Sequence, residues 1–201
     1  MNNLLISNGS AASPFGMGAG VTVNQILIGN RIPKDYFVTR GRGESDIAIH
    51  AGSYHLALKD AGIEMANIMT YSSIMPAIAT EVPYPPHITH GAVLESIMAV
   101  GTCQKGERVS SGIIWGWLTD RITGEKYGGL VCEECGDYSQ AELSTQLRAS
   151  LDELYTNGFD DRFELGNIRV ETETMVPEKK YGTAIVAICF TNYMVPVLQQ
   201  A

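Results

Sequence analysis

The chain is poor in the residues that secreted, membrane-spanning or nucleic-acid-bound proteins depend on. Its 201 residues hold four cysteines, Cys103, Cys132, Cys135 and Cys189, too few for a disulfide framework at this length. Cys132 and Cys135 form a Cys-x-x-Cys, but a structural zinc site wants a second pair and the sequence has none. The spacing reads as a strand thiol followed by a turn thiol, and no metal is expected. Lys and Arg number 14 against 22 Asp and Glu, for a net charge of −8. Phosphate backbones demand clustered basic residues, so nucleic acid is not a partner. No window approaches the roughly 20 apolar residues of a membrane span. Met1 to Ile6 carries neither the basic residues nor the sustained apolar core of a secretory leader. These absences point to the cytoplasm, with no membrane partner.

Hydrophobic residues make up 45% of the 201, enough for one well-buried core and too short a chain for two ordinary domains. Residues 1–31 scatter Gly9, Gly16, Gly18, Gly20 and Gly29 among Ser and Asn with little consistent period, which reads as a flexible N-terminal arm. The folded domain is then 32–201.

Within it, Asp35 to Thr39 has strand composition and Gly41-Arg-Gly43 is expected to end that strand in a turn. Ser45 is the expected N-cap of a first helix, its apolar stripe Ile47, Ala51, Tyr54, Leu58 and Ala61 closed by Gly62. That helix delivers the chain into a strand over 67–73. Pro83, Pro85 and Pro86 make the next stretch a loop, in which His87 and His90 read as solvated. Strands follow at 92–100, 109–118 and 127–133, rich in β-branched and aromatic residues, with Trp115 and Trp117 on one face. Ser139 and Glu142 form a capping box ahead of Leu143, Leu147, Leu151 and Leu154, the most secure helix of the chain. The pattern from Ile168 to Val176 alternates as a strand with one wet face does, and Ala184 to Phe190 is apolar enough for burial on both faces. The sum is α+β with mostly antiparallel strands.

The stretch that bears on chemistry is Asn67 to Pro76, where an apolar, β-branched run ends in Ser72-Ser73 just before a proline. A Ser-Ser pair alone is a surface turn. Its surroundings resemble the self-processing site of the pyruvoyl-dependent arginine decarboxylases, of the bacterial type. Gly43-Glu-Ser, Leu56 to Ile63, His90 to Glu95 and Gly129 to Glu133 agree with that family in the same order. The resemblance implies two sheets between helices, a four-layer αββα sandwich, assembled as trimers or dimers of trimers with each active site between neighbouring subunits.

It also implies the chemistry. Ser73 attacks the carbonyl of Ser72, and the chain splits into a β chain of 1–72 and an α chain of 73–201 whose first residue has become a pyruvoyl group. That covalent group forms a Schiff base with the substrate amine and acts as the electron sink for decarboxylation, so no added cofactor is needed. Asn67 is the candidate oxyanion donor for the cut. Glu133 matches the family's proton donor, and the apolar Gly-Gly-Leu-Val-Cys before it would keep it protonated; Glu134 must face the other way. Glu133→Gln is expected to process and yet lose turnover. His55, Leu58 and Glu95 are the substrate-contact candidates, Glu95 being either a site carboxylate or an outward-facing residue. His55 stands where the family has an aspartate on the substrate guanidinium, and an imidazole offers a cation no negative charge; Asp46, Asp60 or Glu95 would have to substitute. The expected activity is arginine to agmatine and carbon dioxide. The alternatives are a pyruvoyl decarboxylase of another amino acid and an uncleaved, non-catalytic oligomeric binding protein.

Overall fold

The computed structural model describes residues 27–85 and 87–198, so residues 1–26 of the expected arm lie outside the described residues. The described residues divide into two compact units, 27–32 with 194–198 and, in the other, those within 33–193. In the first, Ile28 bridges Val197 and the Gly29 amide donates to the Pro196 carbonyl.

The described elements run in this order: β1 (Ile32–Pro33), β2 (Asp35–Ser45), a π-helical stretch Ile49–Tyr54 that continues into α1 (His55–Asp60), β3 (Asn67–Thr70), β4 (Ile74–Pro76), β5 (Thr80–Glu81), β6 (Val93–Gln104), β7 (Val109–Asp120), β8 (Lys126–Gly136), α2 (Gln140–Thr156), β9 (Phe163–Met175), β10 (Tyr181–Phe190) and β11 (Tyr193–Met194). In the larger unit they make a five-stranded sheet, ordered β3-β6-β10-β2-β5, and a four-stranded sheet, ordered β4-β8-β7-β9. Every pairing between long strands is antiparallel; the parallel ones are the edge pairings β3 with β6 and β5 with β2. No helix among the described residues is long and apolar enough to cross a membrane.

Alternation of side chains divides each strand between two cores. Ile97 and Ala99 of β6 and Val186, Ile188 and Phe190 of β10 join Ile113 and Trp115 of β7 and Val131 of β8 in a core common to both sheets. Trp117 packs on that same core, two residues from Trp115 as the period-two reading expects. The other faces of β10 and β2 give Ile185, Ala187, Cys189 and Phe37 to a cluster with Ala57, Leu58 and Ala61 of α1. The unbroken apolar run of β10 is thus buried on both sides. On the second sheet, Ile114, Leu118 and Leu130 receive Leu143, Leu147 and Leu151 of α2, each at most 1% exposed. Burial of one such leucine contributes about 1.5–3 kcal/mol. The capping box is present: Ser139 Oγ accepts from the Glu142 amide and Glu142 Oε2 accepts from the Ser139 amide.

Three sequence expectations change. Gly41 and Gly43 lie inside β2 rather than ending it, because α1 packs against the strand backbone there. A Cβ on Gly43 would sit 2.3 Å from the Ser53 carbonyl oxygen, and one on Gly41 2.3 Å from that of Ala57. Ser45 is the last residue of β2 and not a helix cap; its Oγ accepts from the Ile47 amide in a local turn, and Ile47 is 89% exposed, outside any apolar stripe. The expected strand over 67–73 breaks after Thr70, and the chain changes sheets before it resumes at Ile74. That break is the site.

Candidate active site

β3 runs along the edge of the five-stranded sheet, and its last ladder contact is the Tyr71 amide donating to the Ser96 carbonyl at 2.8 Å. The Tyr71 ring then leans on Phe190, 5.8 Å between centroids. Three residues later the chain is pairing with β8 at the edge of the other sheet, Ile74 opposite Leu130. Ser72 and Ser73 span the gap between two sheet edges.

Pairing then decides which side chain Ser73 meets. The Val131 amide donates to the Ser73 carbonyl at 3.1 Å, which sets Ser73 beside Val131. Glu133 is two residues further along β8, on the same face. The Ser73 hydroxyl donates to Glu133 Oε2 at 2.7 Å, a contact between residues 60 apart in sequence. Both side chains are half-buried. The Ile74 amide donates back to the Ser72 carbonyl at 2.9 Å, closing a γ-turn centred on Ser73. A nucleophile bonded to a carboxylate, next to a carbonyl already held by a donor, is an arrangement suited to acyl transfer.

The remaining sequence candidates lie elsewhere in the chain. Asn67 opens β3, and its Nδ2 donates to the Gly91 carbonyl at 3.0 Å, at the far end of that strand from Ser72. His55 is the exposed first residue of α1. Leu58 is turned into the α1 cluster at 8% exposure. In one chain the five-stranded sheet stands between this helix and the Ser73–Glu133 pair. Glu95 is not outward-facing: it is 1% exposed on β6, opposite Met69 and Phe190, on the face that carries Ile97 and Ala99 into the shared core. Asp60 accepts from the Arg42 amide and Asp46 from the Lys180 amide, both at the surface. Glu134 accepts from the Cys135 amide.

The two halves of the Cys-x-x-Cys part company as well. Cys132 packs in the α2 cluster, where burial pushes its thiol up to about 11. Cys135, three residues on, faces the opposite way and would touch a Cβ on Gly101. One contributor was missed by sequence reasoning, the Ile74 amide; a backbone N–H carries no residue signature, and only the turn aims it.

With this geometry in view, the comparisons are specific. The family model described as pyruvoyl-dependent arginine decarboxylase matches residues 35–195. The chain belongs to that family. It is thereby a pyruvoyl-dependent carboxy-lyase, working through a covalently bound pyruvoyl group. Among its relatives, the pyruvoyl-dependent arginine decarboxylase AaxB of Chlamydia caviae is 28% identical over 185 residues, covering 82% of this chain and 94% of the relative. The pyruvoyl-dependent arginine decarboxylase of Methanopyrus kandleri is 26% identical over 159 residues, 79% of this chain and 97% of the relative. A probable pyruvoyl-dependent arginine decarboxylase of Chlorobaculum tepidum is 26% identical over 133 residues, 60% of this chain and 70% of the relative.

Proposed function

We propose that the chain cuts itself between Ser72 and Ser73 and then decarboxylates an amino acid, with arginine, giving agmatine and carbon dioxide, as the first candidate. The observation that carries this reading is the 2.7 Å bond from the Ser73 hydroxyl to Glu133. A serine hydroxyl is a weak nucleophile unless a base takes its proton, and Glu133 is within reach to take it. Ser73 then supplies the pyruvoyl group, whose ketone takes up the substrate amine and draws electrons from the α-carbon as carbon dioxide leaves. Glu133, already beside that position, returns a proton to the α-carbon.

Ser73 and Ser72 are the cleavage pair, and Glu133 serves both stages. Asn67, expected from the sequence to donate to the oxyanion, instead holds the Gly91 carbonyl at the start of β3. Glu95 supplies a buried carboxylate one strand away from Tyr71. His55 and Leu58 lie across the sheet from Ser73, so they reach a reaction centre only in a neighbouring subunit. We therefore assign the enzyme a trimer or dimer of trimers of four-layered αββα subunits, working in the cytoplasm. The sheet edges beside the cleavage site support such an assembly: Met69 of β3 and Ile74 of β4 are 50% and 58% exposed there. His55 in place of a carboxylate favours a second reading of the substrate, an amino acid whose side chain is not a guanidinium.

Denaturing mass spectrometry tests the proposal directly. Fragments of 1–72 and 73–201 are expected, the larger with a blocked terminus, and Ser73→Ala should abolish them. A purified wild-type chain that stays whole and releases no carbon dioxide from a panel of amino acids would establish a binding protein instead.

A further inference from the structure

We infer that the backbone N–H of Ile74 is the oxyanion donor for the self-cleavage, an assignment that rests on the self-processing reading above. The carbonyl that Ser73 must attack is that of Ser72, and its oxygen becomes the charged atom of the tetrahedral intermediate. That oxygen already accepts the Ile74 N–H at 2.9 Å, within the 2.7–3.1 Å at which such donors act. The side chain that the sequence offers for this role, Asn67, is bonded to the Gly91 carbonyl at 3.0 Å and opens β3, at the opposite end of that strand from Ser72.

Strand pairing explains why the amide is available. Ser73 takes the hydrogen-bonded position opposite Val131, through the bond from the Val131 amide. Its neighbour Ile74, opposite Leu130, therefore falls in a non-hydrogen-bonded position, where the N–H points away from β8. The break between β3 and β4 lets that free N–H curl back onto Ser72. Ser73 has no positive φ, so the turn is of the common inverse γ type, with no left-handed residue to hold. A γ-turn hydrogen bond is bent and weak on a neutral carbonyl. It strengthens as negative charge collects on the oxygen, which is the differential that accelerates a reaction.

The steps balance. Ser73 Oγ gives its proton to Glu133 and bonds to the Ser72 carbonyl carbon; the oxygen held by Ile74 takes the charge. The Ser72–Ser73 C–N bond breaks as the proton passes to the leaving nitrogen, leaving an ester. Loss of the Ser73 α-proton and breakage of the Cβ–O bond release the Ser72 carboxylate and a dehydroalanine. Water converts the latter to the ketone with release of ammonia. The Ile74 amide acts in the first step only.

The test replaces residue 74 by the α-hydroxy analogue of isoleucine, which exchanges N–H for O and leaves every side chain in place, beside Ile74→Val, which keeps the N–H. Cleavage at 72/73 is followed by mass, with and without hydroxylamine to intercept the ester. The inference expects the ester-backbone variant to cleave about 10²–10³-fold more slowly than Ile74→Val, with hydroxylamine capture slowed by the same factor. Ile74→Pro, a second way to delete the N–H, should be slowed as well. Cleavage of the ester-backbone variant within about threefold of wild type would overturn the assignment, as would slowed cleavage with hydroxylamine capture at the wild-type rate. A wild-type chain that never cleaves refutes the self-processing reading itself, a result separable from either.

Discussion

At the scale of single residues, the proposed reaction would have Glu133 serve both stages from one position. Its Oε2 accepts a hydrogen bond from the Ser73 hydroxyl at 2.7 Å, so the proposed base role predicts slowed processing for Glu133→Gln where the sequence alone predicts normal processing. An amide cannot take that proton, and loss of a positioned base costs roughly 10²–10⁴-fold. Glu133→Gln should therefore slow fragment formation by about that factor in a mass-spectrometric time course, and the fraction that does mature should still turn over slowly. Normal processing with lost turnover would confine Glu133 to the second stage. Asp120 offers a separate prediction, in pH. Its carboxylate accepts from the amides of Ile122 and Thr123 and from Arg162 Nε, and these bonds hold its pKa below the usual carboxylate value. A depressed native pKa contributes stability that is present above the unfolded value of about 3.9 and is lost as pH falls through the native one. Asp120→Asn should melt earlier than wild type at pH 7, and the two melting curves should converge as the pH drops below about 4. Equal melting temperatures at pH 7 would remove Asp120 from the stability of the β7–β8 turn.

At the scale of elements, α1 and α2 show what local pattern can and cannot carry. The start of α2 was legible because a capping box is a contact between near neighbours, Ser139 and Glu142, which the spacing alone brings together. Ser139→Ala should cost about 1 kcal/mol, read as a lower urea midpoint with an unchanged slope. The start of α1 was not legible. Ser45 has the residue type of a cap, but β10 pairs with β2 as far as Ser45, opposite Tyr181, and so claims it for the sheet. The glycines of β2 misled for a related reason. Glycine marks a turn in sequence, whereas here its missing Cβ admits a helix backbone, a requirement visible only once α1 is docked. Gly43→Ala would place a methyl group 2.3 Å from the Ser53 carbonyl oxygen. It should destabilise the fold by about 1–3 kcal/mol despite the better intrinsic propensity of alanine, and a variant as stable as wild type would show that α1 yields at no cost.

At the scale of the whole molecule, the two sheets share one core, and the chain crosses from one to the other through Ser72 and Ser73. The proposed cut at that crossing would sever a connection without removing a ladder strand, since β3 pairs with β6 and β4 with β8. The exposed Met69 and Ile74, on the two edge strands, flank this crossing. If neighbouring subunits cover it, Met69→Lys should reduce the sedimenting mass, because a charge at a sheet edge opposes edge association. Turnover should fall with it, since His55 and Ser73 of one chain are separated by a sheet. An unchanged mass would place the assembly surface elsewhere.

The sequence by itself determined the identity of most elements, the unbroken burial of β10, the capped start of α2 and the place of the Ser72-Ser73 bond, because each is written in the period or residue types of one short segment. Only the tertiary structure decided that β3 and β4 belong to different sheets, that Ser73 lies against Glu133, that Glu95 faces inward and that a backbone amide holds the Ser72 carbonyl. Those outcomes depend on the register between segments far apart in the chain, and a local pattern fixes which face of a strand is apolar without fixing the strand it pairs with.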